Sequence, residues 1–528
     1  MTVKTKDVII AGGGLAGLSL AHQLKASKPE LDILVVERNQ FPVPEKTAKV
    51  GESTVEIGSR YLKKTLGLEK QFTERHLRKH GLRCFFGEPQ QDFSEQDELG
   101  VSQLFGIPTY QIDRGAIENQ LQTSITNNGV EVLDGVSTKS IEIDDKESLA
   151  KSKSLTIDTG SGEQTYQSRW LIDAAGRQAL IKNKLGLKKD NDHQGNALWF
   201  RVDRQIKLDE WSSSSDWHDR IKQPNTRWLS TNHLMGPGYW VWVIPLDNGA
   251  TSIGVVMDDE VFSSTDFSTV EGATEWLKKH QPHCAQAIEG APVLDYVVIN
   301  DYSHSCKQLF SDQGWGVTGE SGVFADPFYS PGSDFIAFNN TFINQLVCDS
   351  FDGKDIRLQS RFYETINQSF FSNTLSLYNG QYGGFGDRRM MSLKLVWDYA
   401  YYWGVLSILF FRSTITDVAL MRELNPLLQQ AASANAKVQS AFRERAKQRL
   451  VLPAKGVFMN QYLVPCLKHF SAVLDDDSLS VAQVLPDNVD KLERLEMHIL
   501  KLLNGDASAV ISSDEYDLLG DYRHCVLA

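Results

Sequence analysis

The sequence predicts a mixed α/β (α+β) fold with three parts: a parallel βαβ core, an interleaved antiparallel sheet and a helical C-terminal part. The apolar run Val8–Ala11 stops at a glycine-rich turn, and a helical pattern follows, as at the start of a βαβ unit. Between residues 198 and 299 the chain contains segments rich in aromatic and β-branched residues, which are typical of antiparallel strands. Beyond Phe351 the spacing of apolar residues is helical.

The turn after the first strand fits G-x-G-x-x-G through Gly12, Gly14 and Gly17. In such a turn the glycines permit a tight bend, the approach of a pyrophosphate and close packing of the helix on the strand. A second apolar strand ends at Glu37, twenty positions after Gly17, where an acidic side chain can bind an adenosine ribose. This order of elements favours a Rossmann-like adenine-dinucleotide site over an ordinary βα turn with a solvated glutamate.

Composition excludes several classes of function. A net charge of -13 leaves no basic surplus to neutralise phosphates, which argues against a nucleic-acid partner. The six cysteines form no C-x-x-C pair, so we expect neither a metal site nor a disulfide framework, as in a reducing compartment. The segment before the first strand is short and polar, and the longest apolar run, Tyr399–Phe411, is below the roughly 17 residues that span a bilayer. We therefore predict a cytoplasmic protein with no transmembrane segment.

Further segments have compositions suited to a cofactor or substrate. Small residues in Gly51–Thr54, and in the turn that ends the apolar strand 170–176, would allow close contact with a flat ligand. A Gly/Pro-rich loop, 319–332, precedes a helix whose N-terminus could face an anion. The alternating segment 76–86 reads as one half-buried strand carrying Lys79, which composition alone would make a solvated surface residue.

The order of these motifs resembles that of flavoprotein monooxygenases of the p-hydroxybenzoate hydroxylase type. That superfamily shares the N-terminal dinucleotide turn, an Asp-containing turn like Asp173–Gly176, and a late Gly-Asp stretch followed by Asp-Pro. Here the late stretch is Gly319-Glu320 followed by Asp326-Pro327, so a glutamate stands where aspartate is usual. The resemblance implies that the dinucleotide is FAD.

Two further motifs resemble those of flavin-dependent halogenases, the tryptophan halogenase-like family within this superfamily. The segment Trp240–Pro245 matches W-x-W-x-I-P, and Phe324–Gly332 matches F-x-x-P-x-x-S-x-G. The essential lysine of that family lies about thirty residues after a segment like Gly51–Thr54, which is the position of Lys79. The likeness covers residues 1 to about 350.

The resemblance assigns roles to particular residues. It implies a catalytic role for Lys79. It implies cofactor contacts for Gly12, Gly14, Ala16, Gly17, Glu37, Arg38, Ser53, Arg114, Asp173, Gly176, Asp326, Pro327 and Gly332. It places the halide and the substrate near Ser330, Pro331, Gly332, Ser333, Trp240, Trp242 and Tyr329. It also implies that the two tryptophans keep the substrate away from the flavin and so disfavour direct oxygen transfer. The corresponding domains are residues 1–195 and 306–350 for the FAD-binding module, 196–305 for a mainly antiparallel substrate-binding sheet, and 351–528 for a helical C-terminal region.

The implied activity is that of an oxidoreductase that uses FADH2, oxygen and a halide, either chloride or bromide. Hypohalous acid made at the flavin would reach Lys79, which would polarise it or form a haloamine beside the substrate ring. One dinucleotide motif in so long a chain implies that a separate flavin reductase supplies FADH2. Two alternatives remain open: an aromatic monooxygenase, acting as a hydroxylase or epoxidase, and a non-catalytic flavoprotein that serves as a binding partner.

One departure from the family pattern bears on the substrate. Tryptophan halogenases carry a glutamate directly before the serine of the second motif, whereas this chain has Tyr329 before Ser330. A phenolic or pyrrolic substrate, activated by its own heteroatom, therefore fits better than free tryptophan. The aromatic run that ends at Phe411 either covers a large or carrier-bound substrate or forms a buried helix.

Overall fold

A computed structural model describes residues 3–46, 49–144, 153–160, 162–258, 267–505 and 516–527. The chain divides into two compact units. Unit 1 comprises Met1–Glu74, Ile112–Asn191 and Ser303–Phe371, and unit 2 comprises Arg75–Gln111, Asp192–Tyr302 and Ser372–Ala528. Both units are therefore built from three separate stretches of the chain.

Unit 1 contains a mainly parallel sheet. Its central strands lie in the order Phe310–Ser311, Trp315–Val317, Glu163–Asp173, Lys4–Ala11, Ile33–Val36 and Glu131–Leu133, and only the first of these pairs antiparallel. The strand Lys153–Asp158 pairs antiparallel with Glu163–Asp173 and with Ser137–Ile143, while Lys188–Lys189 forms a small ribbon with Ser305–Cys306. The parallel βαβ core predicted from the glycine turn is confirmed.

Several helices lie wholly or mainly in unit 1. They are Leu15–Ser27, Glu56–Arg60 with a π-helical continuation Tyr61–Thr65, Glu69–Arg75, Arg114–Asn127, Leu180–Lys184, Gly332–Phe351 and Arg357–Leu375. The first begins where the glycine turn ends and is buried through its leucines. The helix that starts at Arg114 is capped by Asp113, whose carboxylate accepts a hydrogen bond from the Ala116 N–H at 3.3 Å. Short 3₁₀ turns lie at Gly176–Gln178 and Gly319–Ser321.

Unit 2 contains the predicted antiparallel sheet. Its strands lie in the order Val293–Ile299, Asn196–Val202, Thr251–Met257, Tyr239–Pro245, Thr231–Gly236, Leu82–Phe86, Asp97–Gly100 and Phe458–Asn460. The pairs Thr231–Gly236 with Leu82–Phe86 and Asp97–Gly100 with Phe458–Asn460 are parallel. Side chains alternate across a strand, so Val241 and Val243 enter the hydrophobic core on one face, while Trp240 and Trp242 lie on the other.

The expectation of one continuous strand over 76–86 is wrong. The chain forms two short strands, Leu77–Arg78 and Leu82–Phe86, and the first pairs with Tyr110–Gln111. Gly81 adopts a left-handed φ of 69°, which ends the extended conformation between them. Lys79 therefore lies in the break between the two strands rather than on a strand.

The remainder of unit 2 is mainly helical, as predicted. Its helices are Ser215–His218, Val270–His280, Pro282–Ile288, Arg388–Tyr401 with a π-helical continuation Tyr402–Ser407, Ile408–Phe411, Val418–Ala446, Pro465–Asp475, Val481–Leu503, Tyr516–Leu519 and Tyr522–Leu527. The strand Phe458–Asn460, which extends the sheet, was not predicted. Most aromatic residues of the run Tyr399–Phe411 are buried, as in a helix of a packed bundle. Within the described part of the chain, every helix is too short or too polar to cross a membrane.

Candidate FAD and halogenation site

The carboxyl ends of four parallel strands of unit 1 meet at one edge of the sheet. Ala11 lies opposite both Val36 and Asp173, and Asp173 lies opposite Val317. The Gly12 N–H donates to the Val36 carbonyl at 2.8 Å. The sequence segments predicted to hold the dinucleotide are therefore next to one another, at the edge where ligands of such sheets bind.

The three glycines of the turn have different surroundings. A Cβ on Gly12, whose φ is 113°, would lie 2.2 Å from the Ala174 carbonyl oxygen, and one on Gly17 would lie 2.0 Å from the Gly12 carbonyl oxygen. Around Gly14, by contrast, no described atom lies within 4 Å of the Cβ position. Gly14 is the N-cap of the helix, so the first helical N–H groups face this open space, as an anion requires.

Glu37 is held in one orientation at the end of the second strand. Its Oε2 accepts a hydrogen bond from the Gly13 N–H at 2.7 Å, and its Oε1 accepts two from Asn39 at 2.9 and 2.7 Å. Arg38, the next residue, is exposed. Asn39, which the sequence analysis missed, thus fixes the carboxylate predicted to bind the ribose.

Asp173 shapes the turn that follows its strand. Its two carboxylate oxygens accept hydrogen bonds from the Ala175 N–H at 3.0 Å and the Ile181 N–H at 2.8 Å. Burial raises the pKa of this carboxyl group above its usual value, against the effect of those amide donors. Gly176 has a φ of 61°, and no described atom lies within 4 Å of its Cβ position. Contact of Asp173 with the cofactor remains a prediction.

The Gly/Pro-rich loop 319–332 begins close to the helix that follows the glycine turn. Gly319, with a φ of 64°, follows the strand Trp315–Val317, and a Cβ on it would lie 2.9 Å from that of Ala16. Asp326 is fully buried and accepts a hydrogen bond from the Phe328 N–H at 2.8 Å. The loop after Gly319 is therefore packed against the glycine-turn helix.

The motif Phe324–Gly332, predicted to lie near the halide, ends this loop at a helix N-terminus. Ser330 has a left-handed φ of 57°, and its N–H donates to the Pro327 carbonyl at 3.0 Å. The helix begins at Gly332, next to Pro331, and no described atom lies within 4 Å of the Gly332 Cβ position. The buried Ser333 Oγ has no hydrogen-bond partner among the described residues. Open space at a helix N-terminus suits an anion.

Arg114 binds the segment Gly51–Thr54. Its Nη1 donates to the Val50 carbonyl at 2.7 Å, and its Nη2 donates to Glu118 at 2.9 Å. Gly51 has a φ of 90°, and Ser53 is buried. The buried Arg114 Nε lacks a hydrogen-bond partner in the described part of the chain. Arg114 thus orders this segment and keeps one donor for a ligand.

Asn340, which no sequence motif indicated, connects three segments near the predicted cofactor site by hydrogen bonds. Its Nδ2 donates to the Ala16 carbonyl at 3.0 Å and to the Tyr61 hydroxyl at 3.1 Å, and its Oδ1 accepts from Thr318 at 2.7 Å. Burial raises the pKa of Tyr61, so its hydroxyl stays protonated. No short-range spacing links these residues in the sequence.

Unit 1 offers FAD both open space and hydrogen-bond donors. A phosphate cradle is open at Gly14, and two buried donors, Arg114 Nε and Ser333 Oγ, are left without partners. Buried donors of this kind are rare unless water or a ligand satisfies them. The residues present therefore fit the cofactor.

Lys79 lies in unit 2 and is buried, with 3% of its surface exposed. The backbone N–H of Lys79 donates to the Thr109 carbonyl at 2.8 Å, and the backbone N–H of His80 donates to the Leu229 carbonyl at 3.1 Å. Burial, followed by the charge of Lys79, lowers the pKa of His233 to about 3. The prediction of a solvated lysine from composition alone is therefore wrong for Lys79.

The paired tryptophans lie on the same sheet as His233. The rings of Trp240 and Trp242 are 5.7 Å apart, and His233 meets Trp240 edge to face at 5.0 Å. The Trp242 Nε1 donates to Ser252 at 3.2 Å, and Gly254 makes room for its ring, because a Cβ there would lie 2.1 Å from it. His233 thus contacts Trp240 and lies within range of the charge of Lys79, and all three side chains are buried in unit 2.

The predicted site residues divide between the units. Unit 1 holds all residues predicted to bind the cofactor, together with Tyr329, Ser330, Pro331 and Ser333. Unit 2 holds Lys79, Trp240 and Trp242.

Comparison with known proteins identifies the family to which the chain belongs. The family model described as an FAD binding domain matches residues 5–286. The flavin-dependent halogenase chlA of Dictyostelium discoideum is 27% identical over 369 residues, which cover 65% of this chain and 60% of that protein. A 1H-pyrrole-2-carbonyl-[peptidyl-carrier protein] chlorinase of Pseudomonas fluorescens is 25% identical over 347 residues, covering 62% of this chain and 72% of that enzyme.

A solved structure extends the likeness in fold to the C-terminal part. The crystal structure of halogenase PltM in complex with phloroglucinol and FAD is 15% identical, with a TM-score of 0.67, and 98% of each chain is covered. The predicted fold class, including its helical C-terminal part, is confirmed. The chain belongs to the FAD binding domain family, and the two relatives described above are named as a flavin-dependent halogenase and a chlorinase.

Proposed function

We propose that this protein is a two-component, FAD-dependent halogenase that acts on an electron-rich aromatic substrate. The observation that carries the proposal is the buried Lys79, whose charge acts on His233, the residue that contacts Trp240, in a chain whose unit 1 fits FAD. When bound and reduced, the flavin would supply the activated oxygen that oxidises chloride or bromide to hypohalous acid. Catalysis by Lys79 and the identity of the substrate are parts of this proposal.

Lys79 has surroundings suited to handling a small neutral oxidant. The pKa of His233, at about 3, leaves that imidazole uncharged at neutral pH, so it adds no second cation beside the lysine. A lysine ammonium is a compact donor that can hydrogen-bond hypohalous acid and polarise its O–X bond. The deprotonated amine would instead attack the halogen of hypohalous acid, so that an N–X bond forms, the O–X bond breaks and water leaves. In either case Lys79 presents the halogen to the ring.

The residue before Ser330 limits the substrate class. Tyr329 is nearly buried and meets Phe328 edge to face at 4.7 Å. A neutral phenol is a weaker base than the carboxylate that tryptophan halogenases carry at this position. We therefore propose a phenol or a pyrrole, because each activates its own ring. The name of the Pseudomonas fluorescens relative makes a carrier-bound substrate a reasonable second form to test.

The proposal implies a reductase as partner. The glycine turn of unit 1 is the one dinucleotide motif recognised in the sequence, and it is assigned to FAD. A separate flavin reductase would then deliver FADH2. All six cysteines are free thiols, in keeping with the proposal of a cytoplasmic setting for this protein.

The decisive experiment supplies the protein with FAD, a flavin reductase, NADH, oxygen and either chloride or bromide. Phenols, pyrroles and indoles are offered free, and a pyrrole-2-carbonyl group is also offered on a carrier protein. Mass spectrometry then looks for halogen isotope pairs. Hydroxylated products without halogen would refute the proposal and favour the monooxygenase alternative, while FAD binding without turnover of reduced flavin would favour a non-catalytic role.

Lys79→Met tests the catalytic assignment, because it removes the ammonium and keeps a long apolar stem. We expect halogenated product to fall by roughly 10²-fold or more, with FAD affinity unchanged. The matched control is Arg78→Ala, which removes an exposed cation one residue away and should preserve activity. Halogenation at the wild-type rate in Lys79→Met would show that the lysine assignment is wrong.

A further inference from the structure

A buried hydrogen-bonded chain connects Trp240 to the C-terminal part of unit 2. The Trp240 Nε1 donates to the Tyr382 hydroxyl at 3.1 Å. That hydroxyl is 3.0 Å from the Tyr302 hydroxyl, which in turn lies 3.4 Å from the Nε2 of His193. All four side chains are at least nine-tenths buried. This chain of hydrogen bonds therefore joins the motif Trp240–Pro245 to the C-terminal part, in which the sequence shows no motif.

Tyr382 is held rigidly at the centre of this chain. Its ring stacks on Phe385, with centroids 4.6 Å apart and planes inclined by 19°. Its carbonyl accepts a hydrogen bond from the Gly238 N–H at 3.0 Å, in the turn directly before the strand of Trp240. A Cβ on Gly384 would lie 2.2 Å from the Met390 sulfur, so the turn that carries Tyr382 is tightly packed. The hydroxyl therefore cannot follow Trp240 if the indole rotates.

The two tryptophans are supported in different ways. The indole of Trp242 donates to Ser252 on the neighbouring strand, so this hydrogen bond lies within the sheet. The indole of Trp240 donates to a residue 142 positions away, outside the sheet. An indole N–H can only donate, so Tyr382 must act as its acceptor. Trp240 is thus the member of the pair whose orientation depends on the C-terminal part.

We infer that Tyr382 is a positioning residue for Trp240 and, through it, a determinant of whether the enzyme halogenates or oxygenates its substrate. This inference rests on the proposed function and on the role that the family resemblance implies for the paired tryptophans, which is to disfavour direct oxygen transfer. Without this hydroxyl acceptor the buried Trp240 N–H loses its hydrogen bond to Tyr382, which makes other orientations of the ring relatively more favourable. The resulting loss is of product selectivity rather than of FAD binding.

The test uses Tyr382→Phe, Trp240→Phe and the double variant. Tyr296→Phe is the matched control, because it removes a tyrosine hydroxyl that donates to the Phe267 carbonyl at 2.6 Å on an edge strand of the same sheet. The first readout is the indole N–H resonance of Trp240 in protein labelled with ¹⁵N at tryptophan, assigned by its loss in Trp240→Phe. The second is the ratio of halogenated to oxygenated product.

We expect Tyr382→Phe to move the Trp240 resonance upfield and to lower the product ratio roughly fivefold, the effect of one buried neutral hydrogen bond. In the Trp240→Phe background the tyrosine substitution should add nothing, since the bond is already gone. An unmoved resonance, or an unchanged ratio in a Tyr382→Phe protein that binds FAD normally, would overturn the inference. A wild type that makes no halogenated product would instead refute the proposed function, and this inference with it.

Discussion

The glycine turn offers a sharp prediction, because two of its glycines should fail for different reasons when they are changed to alanine. In Gly17→Ala the new methyl group would lie 2.0 Å from the Gly12 carbonyl oxygen. Gly12 cannot yield, since its own Cβ position is 2.2 Å from the Ala174 carbonyl oxygen. In Gly14→Ala the methyl group meets no described atom within 4 Å, and a φ of -80° suits alanine.

The expected magnitudes follow from these contacts. Overpacking against backbone costs about 3 kcal/mol at the upper end of its usual range, so the Tm of Gly17→Ala without cofactor should fall by roughly 6–12 °C. Gly14→Ala loses only a favourable N-cap residue, worth about 0.5–1 kcal/mol. Its methyl group, however, occupies the space left for the pyrophosphate. The loss of one hydrogen bond to a charged phosphate would weaken FAD binding roughly 10- to 150-fold.

The assay measures thermal unfolding without cofactor and titrates FAD into each variant by flavin fluorescence. Gly14→Ala should unfold close to the wild type and bind FAD weakly. Gly17→Ala should unfold early even without FAD. Wild-type FAD affinity in Gly14→Ala would refute the assignment of the phosphate cradle, and equal unfolding of the two variants would refute the packing argument.

Two further predictions concern unit 2. Gly254→Ala would place a methyl group 2.1 Å from the Trp242 ring, so we expect the ring to be displaced and the ratio of halogenated to oxygenated product to fall; an unchanged ratio would contradict this. Burial lowers the pKa of His233 to about 3 and that of His80 to about 4, so below pH 6.5 the folded state binds fewer protons than the unfolded state. Stability should therefore fall as the pH drops from 6.5 to 5, by roughly 1–2 kcal/mol per histidine in urea unfolding. His233→Gln should flatten that slope, and an unaltered slope would show that His233 is not buried as a neutral imidazole.

The sequence predicted the parts of the fold that depend on local pattern. Apolar periodicity and the glycine spacing were sufficient to predict the parallel core and the antiparallel sheet. The pattern could not reveal that one alternating segment breaks at Gly81, because a left-handed glycine leaves the alternation of apolar residues intact. Nor could it reveal the strand Phe458–Asn460, which is only three residues long and pairs with a strand about 360 positions earlier.

In the candidate site, too, the sequence predicts the residues of local motifs but not the remote residues that hold them. Residues that a motif names lie close together in the chain, so Gly12, Glu37 and Trp240 could be predicted directly. The residues that hold them come from far away: Asn340 bonds a carbonyl 324 positions earlier, and Tyr382 accepts from Trp240 across 142 positions. A hydrogen bond between remote residues imposes no spacing on either one, so a single sequence does not indicate it. The tryptophan motif therefore describes only the groups proposed to control the product, whereas the C-terminal part, which carries no motif, supplies the acceptor that fixes one of them. If selectivity depends on that acceptor, substitutions in the C-terminal part will change the product while every signature residue stays intact.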